Sequence, residues 1–309
     1  MRLYTIIVTY NSLKWIDRVI KSLEKSSTHT DIIVIDNGSK DGTLRLIEKK
    51  HPKIQLFKSE ENLGFSKANN LGIEIAIKNN ADFVFLLNHD AWVQDDTLYK
   101  LTKAAINHPE FGIFSPIHLN GKGDKLDENF SHYAGPKFCP NLMDDFYLGN
   151  NLKEIYESKF VNAAAWLISK NCSEKVGGFN PIFHIYGEDG NYVKRLHFMG
   201  YKLGIVPKSK IYHDRHKRPH HKVFIDEFLI YKKYIITTHS DPFNQVTFRW
   251  EYMAIIKDII KQLVRLRPNK LKINFQKFFF LMKITKKIKS HRKISMESIS
   301  PFLNFEKKA

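Results

Sequence analysis

Asp90 stands just beyond Phe83-Val84-Phe85-Leu86-Leu87, separated from that apolar run only by Asn88 and His89. A carboxylate at the end of so apolar a strand is placed to hold a hard cation that bridges phosphates, because such ions take oxygen ligands and keep part of their coordination for substrate. Three further polar clusters accompany apolar runs. Thr9-Tyr10-Asn11 follows the first, Asp36-Asn37-Gly38-Ser39-Lys40-Asp41-Gly42 the second, and Asn62-Leu63-Gly64-Phe65-Ser66-Lys67-Ala68-Asn69-Asn70 opens a helix after the third. A strand-end carboxylate can accept the imide hydrogen of a base, and a glycine turn into a helix suits a phosphate or ribose. Each cluster alone is also what turns and caps are made of. Four at one sheet edge point to a nucleotide.

The elements that must carry these residues are legible in the hydrophobic period. Leu3 to Thr9, Asp31 to Ile35, Ile54 to Lys58, Phe83 to Leu87 and Phe111 to Ser115 read as buried strands. Helical segments alternate with them: Trp15, Ile16, Val19, Ile20 and Leu23 share one face behind a Ser12 cap, and Thr43 to Lys50, Ser66 to Lys78 and Asp96 to Asn107 repeat the pattern. Alternation at this pitch predicts a mostly parallel central sheet with helices on both faces, whose ligands lie beyond the carboxyl ends of the strands. Residues 120–158 are rich in Gly, Asp and Asn and read as a loop-rich insertion. Regularity returns with Phe160 to Ser169 as strand, Glu188 to Met199 as helix and Tyr201 to Val206 as strand. Trp166 reads as core.

Taken in order and spacing, Ile6-Ile7-Val8-Thr9-Tyr10-Asn11, Val34-Ile35-Asp36-Asn37-Gly38-Ser39-Lys40-Asp41-Gly42-Thr43, Glu61 to Asn70 and Leu86-Leu87-Asn88-His89-Asp90 resemble a family 2 glycosyltransferase of GT-A fold, in its bacterial rhamnosyltransferase-like group. Gly177-Gly178-Phe179-Asn180, Gly187-Glu188-Asp189, Arg195 and Gly200-Tyr201 extend the resemblance to about residue 215. It implies an inverting transfer of a sugar, rhamnose by the flavour of the match, from a UDP- or dTDP-sugar to a saccharide or lipid-linked saccharide of the cell surface. Thr9, Tyr10, Asn11, Asp36, Asn37, Gly64, Lys67, Asn69 and Asn88 would hold the nucleotide, with Asp36 on the base imide. Asp90 and His213 would hold Mg2+ or Mn2+, and Asp189, in the pair Glu188-Asp189, would be the catalytic base. By residue type alone the pair also suits a helix start, and His213, near His216, His220 and His221, also suits a solvated basic loop. Asn88 and Asn191 stand where the family carries carboxylates, which lowers the charge of both sites.

Composition places the chain in its setting. With 309 residues, 43% hydrophobic and 26% charged, it is neither disordered nor fibrous. Its formal charge of +17 is uneven: residues 201–309 hold 25 Lys/Arg and 8 Asp/Glu, and residues 1–200 hold 24 of each. The expected division is therefore a catalytic domain over 1–218 (nucleotide half 1–115, acceptor half 116–218) and a basic helical region over 219–309. Tyr252, Ile255, Ile256, Ile259, Ile260, Leu263 and Leu266 fall on one helical face, with Lys257, Lys261 and Arg265 opposite. Such a helix suits an anionic membrane surface, and also a helix packed on the catalytic domain with a solvated basic face, or an oligomer contact. No nucleic-acid recognition motif accompanies the charge, and no phosphate loop of a nucleotidyltransferase stands at Asn11-Ser12-Leu13-Lys14. Two cysteines make no disulfide framework, and no signal peptide or spanning segment is apparent, so the expected place is cytoplasmic, peripheral at the inner membrane face.

Overall fold

The computed structural model describes residues 1–183, 186–215, 225–297 and 299–304. The first half alternates as expected: β1 (Leu3–Thr9), α1 (Ile16–Glu24), β2 (Asp31–Asp36), α2 (Thr43–Lys50), β3 (Gln55–Lys58), α3 (Gly64–Lys78), β4 (Phe83–Asn88), β5 (Ala91–Val93), α4 (Thr97–Asn107) and β6 (Phe111–Asn120). Then come α5 (Glu128–Tyr133), α6 (Leu142–Leu148), β7 (Tyr156–Ser158), β8 (Ala165–Ser169), α7 (Lys170–Val176), α8 (Glu188–Phe198) and β9 (Lys202–His213). Three helices follow: α9 (Glu227–His239), α10 (Phe248–Val264) and α11 (Pro268–Glu297).

One sheet runs in the order β3-β2-β1-β4-β8-β6-β9-β5, with β7 also on β9. The strands β3, β2, β1 and β4 are parallel, β8 is antiparallel to both β4 and β6, and β6 and β9 are parallel. The carboxyl ends of β1, β2, β4, β6 and β9 therefore share one edge. Apolar side chains fill both faces: Ile6, Leu86, Trp166 and Phe179 on one, Ile7, Ile16, Phe85 and Leu167 on the other. Strands buried on both sides read as continuous apolar runs because neither face meets water. On α3, Gly72 lets the helix press onto β1, since a Cβ there would lie 2.5 Å from Ile6 Cγ2.

Several local expectations are corrected. Ser12 does not cap α1 with its side chain; the N-cap is Trp15, and the Ser12 carbonyl accepts from Trp15 N and Ile16 N at 2.9 and 3.0 Å. The segment 160–164 is not strand, and β8 begins only at Ala165. The loop-rich insertion also carries three short elements, α5, α6 and β7. Beside the edge strand β5, β9 extends to His213, so this residue sits on a strand. His216, His220, His221 and the division expected at 218 lie outside the described residues. Trp166 is fully buried, as read.

Candidate active site

At the β1–β2 end the expected nucleotide residues are laced together. Asp36 is fully buried, and its Oδ2 accepts from Gly38 N at 3.1 Å and Ser39 N at 2.9 Å, while its Oδ1 accepts from the Ser39 hydroxyl. Gly38 makes this turn possible by adopting φ +81. The carboxylate is thus bonded within its own loop. Asn11 ties the β1 loop to the same turn: its N–H donates to Ser39 Oγ at 2.9 Å, and its Oδ1 accepts from Lys40 N at 2.8 Å. The Thr9 hydroxyl is buried against that of Ser12, whereas Tyr10 is exposed. Asn37 reaches the start of α3, accepting from Leu63 N at 3.3 Å and donating to Gly64 O at 3.5 Å. Lys67 is exposed there and, with Asn62, Gly64, Ser66, Pro181 and Phe183, lines a cavity of about 290 Å³. Asn69 turns its amide back onto Phe65 O at 2.9 Å, and Asn88 donates its N–H to Ala164 O at 2.9 Å.

Two strands bring Asp90 and His213 together. In the antiparallel pair β5–β9, Ala91 faces His213, and Asp214 N donates to Asp90 O at 2.9 Å. Both side chains are buried, with His213 Nε2 3.2 Å from Asp90 Oδ1. Two ligands of one octahedral ion at about 2.1 Å each would be about 3 Å apart, so the spacing fits a shared cation. The His213 Nδ1 is buried without a hydrogen bond, 3.5 Å from Asp127 Oδ2. Among the described residues no group of three or more His, Cys, Asp or Glu is assembled for a metal. A cation here would complete its shell with water and substrate oxygens, as Mg2+ does.

Asp127 is a residue of the candidate site that sequence reading missed. Its Oδ1 caps α5, accepting from Asn129 N at 3.1 Å and Phe130 N at 3.0 Å, while its Oδ2 pairs with Arg215 Nε at 3.1 Å and faces His213. Asp127 therefore stands behind the imidazole on the side away from Asp90. Asp214 was missed as well. Its Oδ2 accepts from Trp15 Nε1 at 2.7 Å and Lys14 Nζ at 3.0 Å, tying the end of β9 to the loop after β1.

Glu188 and Asp189 open α8, preceded by Gly187 at φ +110. Burial raises both carboxyls above their ordinary range, and Glu188, beside the charge of Asp189, is pushed up to about 7. Glu188 Oε2 is buried without a hydrogen bond. Asp189 accepts from Gly190 N at 2.8 Å, and the backbone of Ala163, just before β8, also favours its charged form. Burial raises the Tyr133 hydroxyl, and the nearby charge of Asp189 adds to the shift. Tyr133 lies at the far end of α5 and meets Phe160 edge-on at 5.0 Å. A single short helix thus reaches the His213 pair through its cap and the α8 carboxylates through its last residue. From α9, Lys233 favours the charged forms of Glu188 and Asp189 and stands 5.9 Å from the Tyr186 ring.

A mostly parallel sheet with these polar loops at one edge and a helical extension beyond it matches the GT-A fold. The profile of Glycosyl transferase family 2 matches residues 4–176, and the chain belongs to that family. It is 23% identical over 254 residues to N-acetylglucosaminyl-diphospho-decaprenol L-rhamnosyltransferase of Mycobacterium tuberculosis, covering 70% of this chain and 80% of that protein. It is also 23% identical to the dTDP-rhamnosyl transferase RfbF of Shigella flexneri, with 68% of each covered. Among solved structures, S. aureus TarS 1-349 in complex with UDP superposes with a TM-score of 0.56 at 15% identity, over 96% of this chain and 91% of that one. In a longer TarS structure the match spans 45% of that chain. The mannosyltransferase PcManGT of Pyrobaculum calidifontis, in complex with GDP-Man and Mn2+, gives 0.55 at 16% identity, over 89% and 73%.

Proposed function

We propose that this chain is an inverting glycosyltransferase that moves a sugar, rhamnose foremost, from a dTDP- or UDP-sugar to a lipid-linked saccharide in cell-surface polysaccharide synthesis. The observation that carries it is the buried Asp90–His213 pair, 3.2 Å apart at the edge where the loops of β1 and β2 also end. The names of the two rhamnosyltransferase relatives support the donor, and the diphospho-decaprenol in one of them supports a lipid-linked acceptor. The residues 1–218 would form the catalytic unit and 219–309 a helical region at the inner membrane face.

In this reading Thr9, Tyr10, Asn11, Asp36, Asn37, Gly64, Lys67, Asn69 and Asn88 form the donor's nucleotide pocket. The laced loops of β1 and β2 would hold the base, with Asn69 and the exposed Lys67 near base and ribose. Asp90 and His213 would hold Mg2+ or Mn2+, whose chemistry there is to neutralise charge on the departing diphosphate. Asp189 accepts the proton of the acceptor hydroxyl as its oxygen bonds to the anomeric carbon from the face opposite the breaking bond to diphosphate. One displacement without a covalent intermediate inverts that carbon. Glu188, beside it, is pushed up to about 7 by burial and by the charge of Asp189, while Asp189 accepts backbone hydrogen bonds that favour its charged form.

Calorimetry with UDP, dTDP and GDP, each with and without Mn2+, combined with a transfer assay on Asp189→Asn, tests the reading. The expected result is selective binding of UDP or dTDP, and a variant that keeps nucleotide affinity while losing about 10²- to 10⁴-fold in turnover. Unchanged turnover would remove Asp189 as the base, and no nucleotide binding would remove the reading.

A further inference from the structure

The helices α10 and α11 form an antiparallel hairpin: Tyr252 near the start of α10 bonds through its hydroxyl to Thr285 Oγ1 of α11 at 3.2 Å, and the chain turns over 265–267. The hairpin buries only part of the face that its sequence suggests, Ile255 with Tyr252 and Ile259 packed against its cluster. Phe248 and Ile255 of α10 pack with Leu281 and Ile288 of α11 and Ile235 of α9. Ile256, Ile260 and Leu263 lie outside this cluster and are exposed, as are Trp250 and Met253. At the turn, Val264 is 80% and Leu266 87% exposed, the latter at φ +49. Folded proteins scatter single apolar residues over their surfaces, but a continuous exposed stripe ending in an apolar tip marks an interaction surface.

The charge around the tip identifies what it meets. Between Arg249 and Lys272 there are seven basic residues, Lys261, Arg265, Arg267 and Lys270 among them, and two acidic ones. Of the acidic two, Glu251 is turned inward onto His239 at 3.0 Å, which leaves Asp258 exposed. Two copies of so basic a tip repel each other, and nucleic acid offers no place for Val264 and Leu266. An apolar tip within a basic collar matches an anionic bilayer, where the side chains enter the acyl boundary and the cations meet headgroup phosphates. Among the described residues no helix is long and apolar enough to cross a membrane, so contact through this tip is interfacial.

We propose that the α10–α11 turn, with Leu263, Val264 and Leu266 as the inserting residues and Lys261, Arg265, Arg267 and Lys270 around them, docks the protein on an anionic lipid surface. This names the surface behind the membrane location given above and does not depend on the sugar donor. Co-sedimentation of the full chain with vesicles of phosphatidylcholine alone, and of phosphatidylcholine with an equal part of phosphatidylglycerol, tests it. Two variants accompany the wild type: Leu263→Ser/Val264→Ser/Leu266→Ser, and Lys261→Gln/Arg265→Gln/Arg267→Gln.

Wild type should bind the anionic vesicles and leave the neutral ones, and each variant should weaken binding by about a hundredfold. UDP and dTDP affinity should be the same in all three, which separates failure of this proposal from failure of the catalytic reading. Equal binding of the tip variants and wild type, or equal binding to both vesicle types, would overturn the proposal. So would salt-sensitive binding to duplex DNA that survives the serine substitutions, or a wild-type dimer that those substitutions dissolve.

Discussion

Glu188 carries two unfavourable circumstances at neutral pH, burial and the charge of its neighbour, and both act only when it is ionised. Its carboxyl is raised from the ordinary 4.5 to about 7. Between those values the folded chain binds more protons than the unfolded one, so stability falls as pH rises through the interval and the whole penalty is present above about 7. Glu188→Gln removes it. Urea unfolding should show the variant more stable than wild type by about 1–3 kcal/mol above pH 7.5, with the two curves converging near pH 4. A constant difference across pH would assign the effect to packing. Asp189 shares the burial but accepts hydrogen bonds from backbone N–H groups, a circumstance that favours the charged form a base requires.

On α10 the period alone does not say which part of a broad apolar stripe is buried. Tyr252, Ile255, Ile256, Ile259, Ile260, Leu263 and Leu266 read as one face, yet the bundle buries Ile255 and leaves Ile256 exposed. Thermal or urea melts of Ile255→Ala and Ile256→Ala check this directly: the first should cost about 2–4 kcal/mol, the second under about 0.5. The first half of the fold was legible because its strands, apolar on both faces, read as short continuous apolar runs, and its helices, apolar on one, repeat near 3.6. Asp90 was legible for the same reason, standing at the end of such a strand. The contribution of α5 was not. Asp127 announces itself only as a helix cap, and its approach to His213 is made by the register of β6 and β9, which local sequence does not carry. Nor does local sequence show that the Asp36 carboxylate is satisfied by Gly38 and Ser39, since that depends on backbone φ.

At the scale of the whole molecule, residues distant in sequence are tied together. Segment 299–304 lies against the turn after α7: Ser300 N donates to Glu174 O at 2.9 Å, Gly178 N donates to Pro301 O at 2.9 Å, and Asn70 bridges Phe179 O and Phe302 O at 2.8 and 3.1 Å. A Cβ on Gly178 would stand 2.6 Å from both Asn70 Oδ1 and Leu303 Cδ2. Gly178→Val should therefore loosen this clasp, lowering stability by about 1–3 kcal/mol, and speed proteolytic cleavage within 299–304. An unchanged melting temperature with unchanged cleavage would show the clasp to be idle. The clasp also orders events in time. Ser300 meets Glu174 across 126 positions of sequence, and chains are made at about 5–20 residues per second. The turn that leads towards the Glu188–Asp189 pair is therefore synthesised about 6–25 seconds before the segment that covers it.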